Sequence, residues 1–202
     1  MKEQINNKIL RLSYFTVIYN IIEGVVSILS GSSLNSISLI GFGFDSFIES
    51  ISGSVIIWKT KKGATNSHDD PIEAKAIKFI SFSFFILAGY VLYESAQKLL
   101  THEVPHQSWL GIAIASISIV VMLGLYYQKK RIGLTTHNRA LVADSKQTLA
   151  CIWLSITLLI GLGLNYLFGL WWTDAVAGII ISGLLFKEGY FTYKEKHLCG
   201  CS

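Results

Sequence analysis

The chain has 202 residues, of which 51% are hydrophobic and 15% are charged, and its formal net charge is +4. Soluble domains usually carry about 25% charged residues, so this composition and a mean hydropathy of +0.49 exclude an ordinary soluble protein. We expect an integral, multi-pass membrane protein with the lipid bilayer as its surroundings. The small positive charge gives no reason to expect a nucleic acid partner.

Six long apolar stretches predict an all-α membrane protein, a six-helix transmembrane bundle. The predicted spans cover about residues 12–30, 34–58, 72–100, 108–128, 139–168 and 171–193. All of the 17 Lys and Arg residues except Lys98 and Lys146 lie towards one side, and Lys129 is placed in the loop between the fourth and fifth spans. The N- and C-termini are therefore both expected in the cytoplasm.

The six spans account for nearly the whole chain. Residues 1–198 are predicted to form one transmembrane domain, followed by a short Cys-containing tail at 199–202, and no C-terminal cytoplasmic domain is expected. The sequence shows no nucleophile–base pair at hydrogen-bonding spacing and no zincin-type motif. An enzyme is therefore not expected.

Two acidic residues in the middle of the second span are the first candidate site residues. Asp45 and Glu49 are four residues apart, so on a helix they lie on one face, one above the other. Two acids in hydrocarbon repel each other and cost several kcal/mol to bury. The pattern predicts a cation between them. The alternative is a buried acidic pair whose oxygens are satisfied by Ser or backbone groups.

The fifth span offers a second polar face. Asp144, Gln147 and Cys151 recur at spacings of three and four residues, and they can supply a carboxylate, a carbonyl oxygen and a thiolate. By itself, Cys151 would be interpreted as a small core residue. Opposite Asp45 and Glu49, these side chains predict a mixed oxygen and sulfur site that suits Zn²⁺, Co²⁺ or Cd²⁺.

Several other residues are candidates for accessory roles in metal handling: Glu23, His68, Asp69, Asp70, Asp174, His197, Cys199 and Cys201. Each has an alternative interpretation. Asp174 can lie at the outer membrane interface, and the 68–70 loop can be a solvated turn before a helix start. The His-x-Cys-x-Cys tail can chelate a soft cation, or it can be a flexible or lipidated end.

Four segments, in spans one, two, five and six, form a recognisable set: Asn20-Ile-Ile-Glu-Gly, Ser38-Leu-Ile-Gly-Phe-Gly-Phe-Asp-Ser-Phe-Ile-Glu-Ser, Val142-Ala-Asp-Ser-Lys-Gln-Thr-Leu-Ala-Cys and Trp171-Trp-Thr-Asp-Ala-Val-Ala-Gly. Together they resemble the cation diffusion facilitator (cation efflux) family, and in particular a bacterial subgroup of cation transporters related to the TMEM-type zinc efflux proteins. The resemblance covers all six spans. Members usually carry a cytoplasmic metal-binding domain that is expected to be missing here.

The resemblance implies a divalent metal cation exporter that works by alternating access with proton antiport. It also implies a homodimer, a bacterial cytoplasmic (inner) membrane location and no prosthetic group, the metal being cargo. The family's acidic pair on helix two matches Asp45 and Glu49. Its His-x-x-x-Asp pair on helix five falls on Gln147 and Cys151, which departs from both residue types. A membrane-embedded metal sensor or accessory subunit that binds without transport is the alternative.

Overall fold

A computed structural model shows six α-helices and, among the residues that it describes, no strand. It describes residues 2–61, 71–101, 109–136, 139–170 and 172–198. The helices are α1 (Lys2–Leu34), α2 (Ile37–Lys61), α3 (Pro71–Thr101), α4 (Trp109–Thr135), α5 (Arg139–Phe168) and α6 (Trp172–Leu198). Within the described ranges, α1, α2, α4, α5 and α6 each contain a stretch long and apolar enough to cross a membrane. The predicted all-α membrane architecture is confirmed.

The helix ends differ from the predicted spans where charged residues extend a helix beyond its apolar part. α5 matches its prediction, whereas α1 begins ten residues earlier than the predicted start at residue 12 and α4 continues to Thr135. The chain turns between α1 and α2 at Asn35, whose φ is 53°. It turns again after α5 at Gly169, whose φ is 63°. These left-handed values suit Gly and Asn, the residues that usually end helices.

The second helix lies at the centre of the bundle. The closest helix pairs are α1 with α2, α3 with α6, and α4 with α5, and α2 also packs against α3, α5 and α6. Large apolar side chains of several helices fill the interior, among them Leu39, Phe42, Phe84, Val91, Met122, Leu158 and Ile181. Many other large apolar side chains point outward, as expected where lipid is the solvent. Acids on α2 are therefore placed inside the protein.

A close crossing of α1 and α2 brings their polar residues together. A Cβ atom added to Gly24 would lie 2.9 Å from the Gly43 carbonyl oxygen, and one added to Gly43 would lie 3.0 Å from that of Gly24. Small residues allow this approach in membranes, where no hydrophobic effect drives helices together. The crossing holds Glu23 of α1 beside the acidic face of α2.

A second close contact, between α5 and α6, makes a testable prediction. A Cβ atom added to Gly161 would lie 2.4 Å from the Ala177 Cβ, so Gly161→Ala must push the two helices apart. We expect it to lower the free energy of unfolding by about 1–3 kcal/mol, measured by denaturant unfolding in detergent micelles. Gly163→Ala is the matched control, because nothing lies within 4 Å of its added Cβ and it only improves helix propensity. Equal effects of the two substitutions would contradict this packing.

Candidate cation site

Glu49 is held between α2, α4 and α5. Its side chain is buried, and its Oε1 atom accepts a hydrogen bond of 2.6 Å from the Thr148 hydroxyl of α5. The same oxygen lies 3.3 Å from the Lys129 Nζ of α4. The other oxygen, Oε2, is buried and has no hydrogen-bond partner among the described residues. Burying a carboxylate oxygen without a donor is costly, so this atom is the unsatisfied polar group of the Glu49 side chain.

Lys129 corrects an interpretation made from the sequence. The sequence places Lys129 in the loop between spans four and five, whereas the structure places it within α4, where it is 0% exposed. Its ammonium lies 2.8 Å from the Asp144 Oδ2 atom and donates a hydrogen bond of 2.8 Å to the Thr148 hydroxyl. Asp144 also accepts a bond of 3.4 Å from Ser52. A basic side chain therefore connects the two acidic helix faces.

Asp45 and Cys151 lie on the facing sides of α2 and α5. Both are buried, and their side chains interact electrostatically with each other and with Glu49. Gln147, one turn before Cys151, has a buried amide nitrogen with no hydrogen-bond partner. A half-turn of the amide would exchange this nitrogen for the carbonyl oxygen, which is a metal ligand. The predicted residues of spans two and five are therefore neighbours.

Glu23 of α1 lies beside this face but is already hydrogen-bonded. One of its oxygens accepts a bond of 2.9 Å from the Tyr19 hydroxyl, and the other accepts a bond of 3.0 Å from the Ser46 hydroxyl. Asp45 also interacts electrostatically with Glu23 and with Glu188 of α6. Five acidic residues thus lie in or around this part of the bundle, and Lys129 contacts two of them, Glu49 and Asp144.

Asp174 has a role that neither of its two interpretations from the sequence included. It is fully buried, and its Oδ1 atom accepts hydrogen bonds from the Ser36 hydroxyl, at 2.7 Å, and from the Ser38 hydroxyl. Its Oδ2 atom accepts a bond of 3.2 Å from the Ile37 backbone N–H. Both oxygens are used to cap the N-terminus of α2, where a negative charge is favourable.

The described residues do not form a ready-made metal cage. Among them, no three His, Cys, Asp or Glu side chains converge closely enough to hold a metal ion. Lys129 stands between Glu49 and Asp144, and Glu23 points to its hydroxyl partners.

The remaining accessory candidates are not placed. His68, Asp69, Asp70, Cys199 and Cys201 lie outside the described residues. His197 lies in the last turn of α6, and its side chain is not described. Their predicted roles in recruiting or chelating metal stay predictions.

The chain also matches a known protein family over most of its length. Residues 12–197 match the model of the cation efflux transmembrane domain. The chain belongs to the cation efflux family. It is 27% identical over 181 residues to a protein of Methanocaldococcus jannaschii named Uncharacterized transporter MJ0449, and this alignment covers 87% of the chain and 64% of that protein. The chain thus spans less than two thirds of that relative. Family membership identifies residues 12–197 as a cation efflux transmembrane domain.

The predicted site residues do not include Lys129 of the fourth helix or Thr148 of the fifth. Lys129 is one member of a buried stripe at spacings of three and four residues: Gly111, Ala115, Ser118, Met122, Leu125, Lys129 and Gly133. This periodicity is visible in the sequence and puts Lys129 on the same helix face as the small and apolar residues of the stripe. Thr148, which donates to Glu49, carries no comparable signal, because a Thr in a membrane helix usually bonds its own backbone.

Proposed function

We propose that this protein exports a divalent metal cation, with Zn²⁺, Co²⁺ or Cd²⁺ as the transported ion, by alternating access. The observation that carries the proposal is Glu49 Oε2, a buried carboxylate oxygen that finds no hydrogen-bond partner in the part of the chain that the structure describes. Leaving such an anion uncompensated costs several kcal/mol, and a bound cation supplies the missing partner. The placement of Lys and Arg supports cytoplasmic termini and therefore export from the cytoplasm.

The proposed ion site lies between α2 and α5. Asp45 and Glu49 supply carboxylate oxygens, Cys151 a thiolate and Gln147 its amide oxygen, while Asp144 extends the acidic face. A thiolate among the donors favours soft or borderline ions over Mn²⁺. The metal is the transported substrate, so the protein needs no prosthetic group.

Proton antiport follows from the same donors. Carboxylates and thiols bind metal only after losing a proton, so ion entry and proton release are linked. For this linkage to drive export, protons must bind more tightly to one of the two states, outward-facing or inward-facing. The metal must bind more tightly to the other state. We place the protein, as a homodimer, in a bacterial cytoplasmic membrane.

A flux panel tests the proposal. Purified protein in proteoliposomes is expected to move Zn²⁺, Co²⁺ or Cd²⁺, and a pH gradient of the right sign should speed the movement of at least one of them. Fluxes equal to those of empty liposomes for every ion would reject transport. If the same protein nevertheless bound metal tightly, the function would instead be that of a metal sensor or accessory subunit.

Cys151→Ser tests the ligand set within this panel. Replacing sulfur by a hydroxyl oxygen is expected to lower Cd²⁺ flux at least about tenfold, with a smaller loss for harder ions, because thiolate prefers soft metals. Thr157→Val is the control on the same helix, since its hydroxyl bonds only to the backbone of its own helix. An unchanged order of ion preference in Cys151→Ser would remove Cys151 from the site.

A further inference from the structure

Lys129 is the feature of this site that ion binding alone does not explain. Its ammonium is fully buried and contacts Asp144 at 2.8 Å, Glu49 at 3.3 Å and the Thr148 hydroxyl at 2.8 Å. Lys side chains in membrane helices normally extend their charged ends towards the interface. Here the charge is directed inward, into the site from which a cation is to be transported.

Lys129 also lowers the negative charge that the transported ion meets. With their carboxyl groups ionised, Asp45, Glu49 and Asp144 carry three negative charges, a Cys151 thiolate adds a fourth when it binds metal, and Lys129 carries one positive charge. Without Lys129, the same ion would face one more uncompensated anion and would be held more tightly.

We propose that Lys129 acts as a tethered cation that shares Glu49 with the transported ion and so sets how tightly the site holds a divalent cation. This inference rests on the proposed function. When the ion binds at Glu49 Oε2, the ammonium withdraws from Oε1 and stays on Asp144. When the ion leaves, the ammonium returns to Glu49. The site is thereby compensated in both states, and the ion can leave as well as enter.

The contact distances support this division of roles. Lys129 lies closer to Asp144 than to Glu49, which makes Asp144 the anchor and Glu49 the shared partner. The flexible four-carbon stem of Lys allows the short movement, whereas the rigid fork of Arg would bind both carboxylates at once. Thr148 donates to Glu49 at 2.6 Å and keeps that carboxylate oriented while the ammonium moves.

Lys129→Met tests the proposal through binding and transport together. The dissociation constants for Co²⁺ and Cd²⁺ of the purified protein, measured by titration calorimetry, are expected to fall at least about tenfold, since an added unit charge at a few ångströms is worth 1.4 kcal/mol or more. The maximal flux in proteoliposomes should fall as well, because the ion leaves slowly. Lys130→Met is the matched control, since Lys130 is exposed on the same helix and should leave both values unchanged.

A double variant keeps the proposal testable if the single variant does not fold. Lys129→Met with Asp144→Asn removes the ion pair as a whole, which buried pairs tolerate far better than the loss of one partner. It restores the net charge of the site but still lacks the ammonium that shares Glu49, so its dissociation constant for Co²⁺ is expected between those of Lys129→Met and wild type. A folded Lys129→Met with unchanged or weaker binding, or a folded double variant that binds Co²⁺ more weakly than wild type, would overturn the role of Lys129 alone. Wild-type protein that binds neither ion would overturn the proposed function too.

Discussion

Glu49→Gln is expected to lower divalent cation flux at least about 100-fold while the protein stays folded. The amide keeps the shape of the side chain, and its carbonyl oxygen can still accept the hydrogen bond from Thr148. What it loses is the negative charge and the unpartnered Oε2 atom, which is replaced by a nitrogen that cannot bind a cation. Losing one member of a buried charge pair typically costs about 2–5 kcal/mol, and each 1.4 kcal/mol is a factor of ten.

The measurement is the initial flux of Zn²⁺, Co²⁺ and Cd²⁺ into proteoliposomes, with the melting temperature in detergent recorded beside it. Glu94→Gln is the matched control, because Glu94 is a partly buried acid in the third helix outside the proposed site. Flux of Glu49→Gln within threefold of wild type, in a protein of normal stability, would remove Glu49 from the ion path.

Asp174→Ala is expected to destabilise the protein by about 3–5 kcal/mol. Its carboxylate accepts hydrogen bonds from Ser36, Ser38 and the Ile37 N–H at the start of the second helix. Each buried donor left without an acceptor costs about 1–3 kcal/mol, although rearrangement will recover part of this. The favourable interaction of a negative charge with the helix N-terminus is lost as well.

Denaturant unfolding in detergent micelles measures this effect. Asp174→Asn is the informative partner, because its remaining carbonyl oxygen can still accept from Ser36 and Ser38. We expect it to cost about 1–2 kcal/mol, since one hydrogen bond and the charge are lost. If the free energy of unfolding of the alanine variant lay within 0.5 kcal/mol of that of wild type, the cap would contribute little to stability. Asp174 would then again be a candidate accessory ion ligand.

Much of the architecture could be predicted because it depends on patterns within single helices. The apolar stretches predicted an all-α bundle of six helices, and the structure has six. Within the described residues, five of these helices are long and apolar enough to cross a membrane. The four quoted segments indicated the cation efflux family, which the match over residues 12–197 confirms. The positions of Asp45 and Glu49 on one buried face also follow from a spacing of four.

Which partners these acids have could not be predicted from spacing. A buried carboxylate can be neutralised by a metal, a proton, a hydroxyl or an ammonium, and the choice depends on what the neighbouring helices bring to it. Glu49 receives Thr148 from one helix and Lys129 from another. Asp174 caps the second helix from the sixth, a contact that no spacing in the sequence predicts.

The sequence by itself determined the membrane location, the helical class, the family and the two acids in the second helix, because hydropathy and helical period are properties of one segment at a time. Only the tertiary structure decided that Lys129 lies inside the bundle. Its place in a buried stripe of the fourth helix is visible as a period, but a Lys at the end of an apolar stretch can equally extend towards water. The packing of the fourth helix against the fifth, beside Glu49 and Asp144, directs the charge inward.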